Sequence, residues 1–296
     1  MPKLSFYQSR TARNRVVRSQ QEKIREMYKN AHNELKKTIN NMGNNLQRYQ
    51  LMLLQNQIKE EINNITITLN EMYKQGVTEI SQATVNDMKR FLNYVNVDTT
   101  EMMLTIPDRT VEMIMNGKIY DKAWYLSKRV WSFPDKAQKD AEFIISSGLS
   151  QNKDLFDIAK DLELYLDPVR KKPVEWSRYY KGVSGKIDYN AMRLARTLCQ
   201  HSYQQTFVTV TRPNPFITMY RWNISSNDRV CPICQDREGN LYSKDNLPID
   251  HPNGQCWWEA VIPETFEQIA DRIADWGEHP ENDPELDAYM QWLRNN

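Results

Sequence analysis

The sequence predicts a mainly α protein that closes with a small β module near its C-terminus. Three observations lead there. Apolar residues recur every three or four positions through roughly the first two hundred residues, the period of a helix with one buried face. From Pro213 the texture shifts to alternating β-branched and aromatic residues, the period of a strand. Three of the chain's four cysteines and one of its four histidines fall between Arg229 and Cys256, among turn formers.

In chain order, Ile24, Tyr28, Ala31, Leu35, Ile39, Met42, Leu46, Tyr49 and Leu53 form one stripe along a long helix. The intervening Asn, Gln, Lys and Glu leave that helix dependent on a partner along its length. Ile62, Ile65, Leu69 and Met72 continue the pattern, Gly76 is the expected stop, and Val77, Ile80, Met88, Phe91 and Val95 begin another helix. An antiparallel hairpin or a short bundle satisfies all these stripes. Shorter helices follow. Asp108 is the expected cap of one that stops at Gly117, and "YDKAWYLSKRVW" comes next. A helix then ends at Gly148, and Ser150 is the expected cap of the next, which stops before Pro168. "KKPVEWSRYYKGVSGK" reads as a loop. "DYNAMRLARTLCQHSYQQTFVTV" reads as a helix whose apolar face includes Cys199 as a packing residue. "FITMYRWNIS" and "GQCWWEAVIP" read as strands, with "REGN" as a turn. The tail from Pro263 reads as a helix, a proline-marked turn and a short acidic helix. These textures divide the chain into a long-helix region (1–97), a helical domain (98–210), a cysteine/histidine β module (211–262) and an acidic helical tail (263–296).

The 296 residues are 40% hydrophobic and 26% charged, enough for a real core. The net charge of +1 selects no partner, but the ends differ. Met1–Lys37 carries ten Lys/Arg against three Glu, and Glu259–Asn296 carries ten Asp/Glu against two Arg. Arg13, Arg15, Arg18, Lys23 and Arg25 on the first helix are candidate phosphate contacts. An acidic protein surface, or plain solvation of a charged face, explains them too. No apolar run approaches the roughly 18 residues of a membrane span. The first residues lack the apolar stretch of a secretory signal, and four cysteines are too few for a disulfide scaffold of this length, which points to folding in a reducing cytosol. Phosphate-loop, dinucleotide-binding and nucleophile-elbow patterns are absent, so no catalytic residue is assigned.

The cysteine–histidine spacing is C-x2-C, sixteen residues, then H-x4-C. A tight turn aims two sulfurs three residues apart at one centre, and "HPNGQC" supplies a second turn. Cys231, Cys234, His251 and Cys256 then form a closed set for a structural zinc ion, with no position left for a reacting water. The other readings are a redox pair, free or disulfide-linked thiols, and a nuclease in which His251 activates water beside a metal. A DNA-binding module is a further alternative, although between Cys231 and Cys256 Arg237 and Lys244 face Asp236, Glu238, Asp245 and Asp250.

"SNDRVCPICQDREGNLYSKDNLPIDHPNGQCWW" resembles the motif of phage head-morphogenesis proteins, the Mu F-like minor capsid group. "RLARTLCQHSYQQ" and "GLSQNKDLFDIAKDL" are similar to two helical segments of that family, so the resemblance spans about residues 140–262. Gly254 stands where the family usually has cysteine, and Leu198 where it usually has glutamate. With that cysteine gone, any zinc falls to Cys231, Cys234, His251 and Cys256. The resemblance implies a non-enzymatic minor component of a tailed-phage head. It would be made in the host cytoplasm and sit at the capsid interior or portal vertex, with the portal or major capsid protein as partner and packaged DNA as a further contact.

Overall fold

A computed structural model describes residues 5–94, 103–119, 132–183, 185–225 and 230–295. The expected helix in "YDKAWYLSKRVW" and the helix position Val95 lie outside those residues. The fold is mainly α with long N-terminal helices and one small antiparallel sheet near the C-terminus, as the sequence predicts.

Helix α1 runs Tyr7–Met42 and α2 runs Arg48–Tyr94. Gly43, at φ +72, ends α1 in the left-handed conformation that glycine adopts without strain. The break therefore lies at Gly43, and Gly76, the expected stop, is buried within α2. The break also resets the helix phase. Leu51 and Leu54 are buried, while Tyr49 and Leu53, which continue the stripe by spacing, are 57% and 52% exposed.

Among the described residues, α3 (Ile106–Met115), α4 (Phe133–Ser150), α5 (Leu155–Leu166), α6 (Val174–Tyr179) and α7 (Tyr189–Thr211) follow. Asp108 lies in the first turn of α3 rather than at its cap. Asp154, not Ser150, caps α5: its side chain accepts from Phe156 N at 2.8 Å. Ser150 instead donates to Ser147 O at 2.8 Å and closes α4. Helix α6 occupies part of the stretch expected as a loop, anchored by the buried Trp176. Sequence patterning missed it because it is six residues long, too short for a helical period to register.

The chain forms two compact units. One comprises Arg18–Lys74 and Met115–Ala195. In it α1 and α2 form an antiparallel hairpin, with Gln20 Nε2 donating to Met72 O at 2.7 Å. Tyr73 Oη ties α2 to α7 through Ala191 O at 2.8 Å. Each of two buried aspartates accepts a lysine and a tyrosine: Asp140 takes Lys136 and Tyr165, and Asp161 takes Lys153 and Tyr180. A buried charge paired in this way avoids the cost of lone burial.

The other unit comprises Met1–Val17, Gln75–Ile114 and Arg196–Asn296. Its sheet has the order β2–β1–β3, with β1 (Met219–Asn223) central, β2 (Leu241–Ser243) on one edge and β3 (Trp257–Val261) on the other, all antiparallel. Tyr220 and Trp222 alternate with exposed or half-buried neighbours on β1, so one face enters the core. Trp258, directly opposite Trp222, meets it edge-on at 4.7 Å, and Phe207 of α7 packs on Tyr220 at 5.9 Å. Between β1 and β2 lies a one-turn helix, α8 (Pro232–Arg237), so "REGN" turns from a helix into a strand rather than joining two strands. The tail forms α9 (Phe266–Glu278), a short 3-10 turn, and α10 (Pro284–Asn295).

Candidate metal centre

The first arm is Cys231–Cys234. Cys231 is the N-cap of α8, and Pro232 takes the first helical position, where a missing N–H costs nothing. Cys231 Sγ accepts from Cys234 N at 3.4 Å, and its carbonyl accepts from Cys234 N and Gln235 N at 3.0 Å each. The helix start thereby turns both sulfurs to one side.

The second arm is the loop from Asp250 to Cys256. Gly254 N donates to His251 O at 2.9 Å, which closes a tight turn, and Asn253 takes φ +71 within it. Helix α7 grips this loop with one polar face. Arg196 Nη1 donates to Asn253 Oδ1 at 3.0 Å, and Asn253 N donates to Thr197 Oγ1 at 2.9 Å. Gln200 Nε2 reaches Asp250 Oδ2 at 2.9 Å and also the Cys256 carbonyl. His201 Nε2 donates to Asp250 O at 3.0 Å, and Gln204 Oε1 accepts from Asp250 N at 3.2 Å.

The two arms meet. The donor atoms of Cys231, Cys234 and His251 lie within 4.8 Å of one another, and so do those of Cys234, Asp250 and Cys256. All four ligands expected from the sequence are present in these two groups, with Cys234 common to both. Asp250 is the addition. His251 Nδ1 faces the Pro252 carbonyl at 3.0 Å, which can only accept, so Nδ1 carries the proton and Nε2 keeps the lone pair for a metal. Cys234 and Cys256 are buried. Burial pushes both thiols up, and it raises the Asp250 carboxyl as well. A divalent cation bound among them would supply the positive charge that thiolates need in such a place. Cys199 sits apart on α7, buried as packing.

The basic residues of α1 separate into two kinds. Arg13 is 6% exposed; its guanidinium donates to Gln200 Oε1 and lies 5.3 Å over the Tyr203 ring. Burial lowers its pKa. Arg13 is thus an interior residue, and the phosphate contact expected of it is corrected: Nη1 faces the buried Gln200, and Nε and Nη2 donate to Asn14 Oδ1 at 3.3 and 3.2 Å. Arg15, Arg18, Lys23 and Arg25 are exposed, with Arg15 paired to Glu79 at 2.6 Å.

Sequence reasoning missed Asp250 and the polar face of α7. Residues 196, 197, 200, 201 and 204 follow helical spacing, but polar periodicity names no partner. Comparison of the chain with protein-family models, with curated proteins and with solved structures returned no match. Fold and site together define a mainly α protein with a cysteine–histidine–aspartate cluster close enough to hold a metal ion.

Proposed function

We propose that this protein is a structural minor component of a tailed-phage head, binding the portal or the inner capsid face. In this reading Cys231, Cys234, His251 and Cys256 hold one structural zinc ion. The observation that carries it is the convergence of the two arms, because the converging residues are the ones on which the resemblance to the Mu F-like group rests. Three sulfurs and an imidazole nitrogen are the donor types of a structural zinc site. When bound, the ion supplies folding energy; in small zinc domains this is on the order of 10 kcal/mol. The protein's residues do the rest: α8 aims two sulfurs, and α7 holds the loop that brings His251 and Cys256. With all four ligands engaged, no coordination position is left for a reacting water. The exposed Arg15, Arg18, Lys23 and Arg25 suit a polyanion such as packaged DNA.

Elemental analysis of the purified full chain, with co-sedimentation against purified portal and major capsid proteins, tests the reading. One zinc per chain, association with either protein and no turnover of DNA are expected. Metal-dependent cutting of DNA that His251→Ala abolishes would replace it with a nuclease centred on His251.

A further inference from the structure

Gly254 has a backbone conformation open to any residue, since it is not among the positive-φ glycines. Space is what requires a glycine there. A Cβ at Gly254 would lie 2.2 Å from both carboxylate oxygens of Asp250 and 2.3 Å from its Cγ. The Asp250 carboxylate therefore fills the place of a side chain inside the loop.

From that place it accepts three N–H bonds. His251 N donates to Oδ1 at 2.9 Å, and Cys256 N and Gln200 Nε2 donate to Oδ2 at 3.0 and 2.9 Å. Two of these donors are the main-chain nitrogens of the loop's own metal-donor residues. The side chain is fully buried, and Oδ1 lies 4.0 Å from both Cys234 Sγ and His251 Nε2. Its oxygens are directed at N–H groups at hydrogen-bond distance, and the neighbouring metal donors are farther off.

We infer that Asp250 is a positioning residue of the metal centre: from inside the loop it fixes the His251 and Cys256 main chain for metal capture, and Gly254 makes room for it. The inference rests on the metal-binding reading above. A carboxylate that orients ligands without binding the metal usually governs affinity by about 10–100-fold.

The test uses the full chain as wild type, Asp250→Ala, Gly254→Ala, the double variant and Asp250→Asn. Zinc affinity is measured by competition with a chromophoric chelator, and the ligand set by the absorption of the cobalt-saturated protein. Asp250→Ala and Gly254→Ala should each weaken zinc by about 10–100-fold. The double variant should bind no more weakly than Asp250→Ala alone, because the alanine methyl enters the emptied space. The cobalt spectrum should match wild type in every variant, since the ligands are unchanged. Asp250→Asn, which keeps the shape but lowers the acceptor count, should also weaken zinc, and it carries the test if Asp250→Ala does not fold. Unchanged affinity, additive losses, or a cobalt spectrum altered in the Asp250 variants would overturn the inference. A wild-type chain that takes up no zinc defeats the metal-binding reading itself, a result distinct from any of these.

Discussion

Arg13 of α1 and Gln200 of α7, 187 positions apart in the chain, share a buried hydrogen bond from the arginine Nη1 to the amide oxygen. With its oxygen taken, the Gln200 amide must turn its nitrogen to Asp250 Oδ2 and the Cys256 carbonyl. The first helix thus sets the orientation of a side chain that touches the Asp250–Cys256 loop.

Arg13→Ala should cost about 1.5–3 kcal/mol of stability, the worth of a hydrogen bond to a charged group, and leave the Gln200 amide free to flip. Arg18→Ala, on the solvent face, should stay within about 0.5 kcal/mol of wild type. Urea denaturation of both variants checks the contrast; equal effects would refute it.

If the cluster holds the proposed zinc, chelation should melt the cysteine–histidine module first. Trp222 and Trp258 pack edge-on at 4.7 Å, and β3 begins at Trp257, directly after Cys256. Near-UV circular dichroism and tryptophan emission should therefore change on chelation, while most of the far-UV helical signal remains. Cys231→Ser should reproduce the change without chelator.

Binding of DNA, if it runs through α1, should weaken with salt at a slope of about 0.9 per neutralised phosphate. Replacing Arg18, Lys23 and Arg25 with alanine together should reduce that slope. Arg13→Ala should leave it alone, because the Arg13 guanidinium faces Gln200 and Tyr203. A slope insensitive to the triple replacement would exclude this face.

The tail should lose stability in acid. Arg272 donates to Asp283 from Nε at 2.5 Å and from Nη2 at 3.1 Å, and these bonds hold the aspartate below its ordinary pKa. A carboxylate depressed by folding stabilises the fold above its unfolded pKa, near 3.9, and that stability is lost as pH falls through the folded value. Asp283→Asn should thus destabilise the protein by about 1–2 kcal/mol at pH 6, and the difference from wild type should vanish near pH 2. Thermal melts at the two pH values measure it.

Tight packing in the helical unit makes a separate prediction. A Cβ at Gly148 would meet Ile158 Cγ1 at 2.6 Å, so α4 and α5 approach through the absent side chain. Gly148→Ala should destabilise by about 1–3 kcal/mol, the usual cost of overpacking. Denaturant titration would show it.

Much of this architecture is legible in the sequence because it rests on periodicity. The α7 and β1 spans follow directly from spacing, and Cys231, Cys234, His251 and Cys256 from ligand type and turn residues. What escaped depends on contacts between distant segments. Gly43 and Gly76 look alike in sequence, yet one takes a left-handed φ and the other is buried inside a continuous helix. Arg13 looks like its neighbours Arg15 and Arg18 until Gln200 is brought beside it. Asp250 reads as one more acidic residue in an acidic stretch, and only the missing side chain at Gly254 marks the space it fills.

The two compact units draw on the chain unequally. The helical one is complete by Ala195, whereas the one that carries the cysteines needs both Met1–Val17 and Arg196–Asn296. On the ribosome, the segment up to Val17 must therefore wait until the chain beyond Arg196 has been made before its own unit can close. Truncation from the N-terminal side should accordingly abolish the cysteine-bearing unit once it passes Val17, long before it reaches the cysteines.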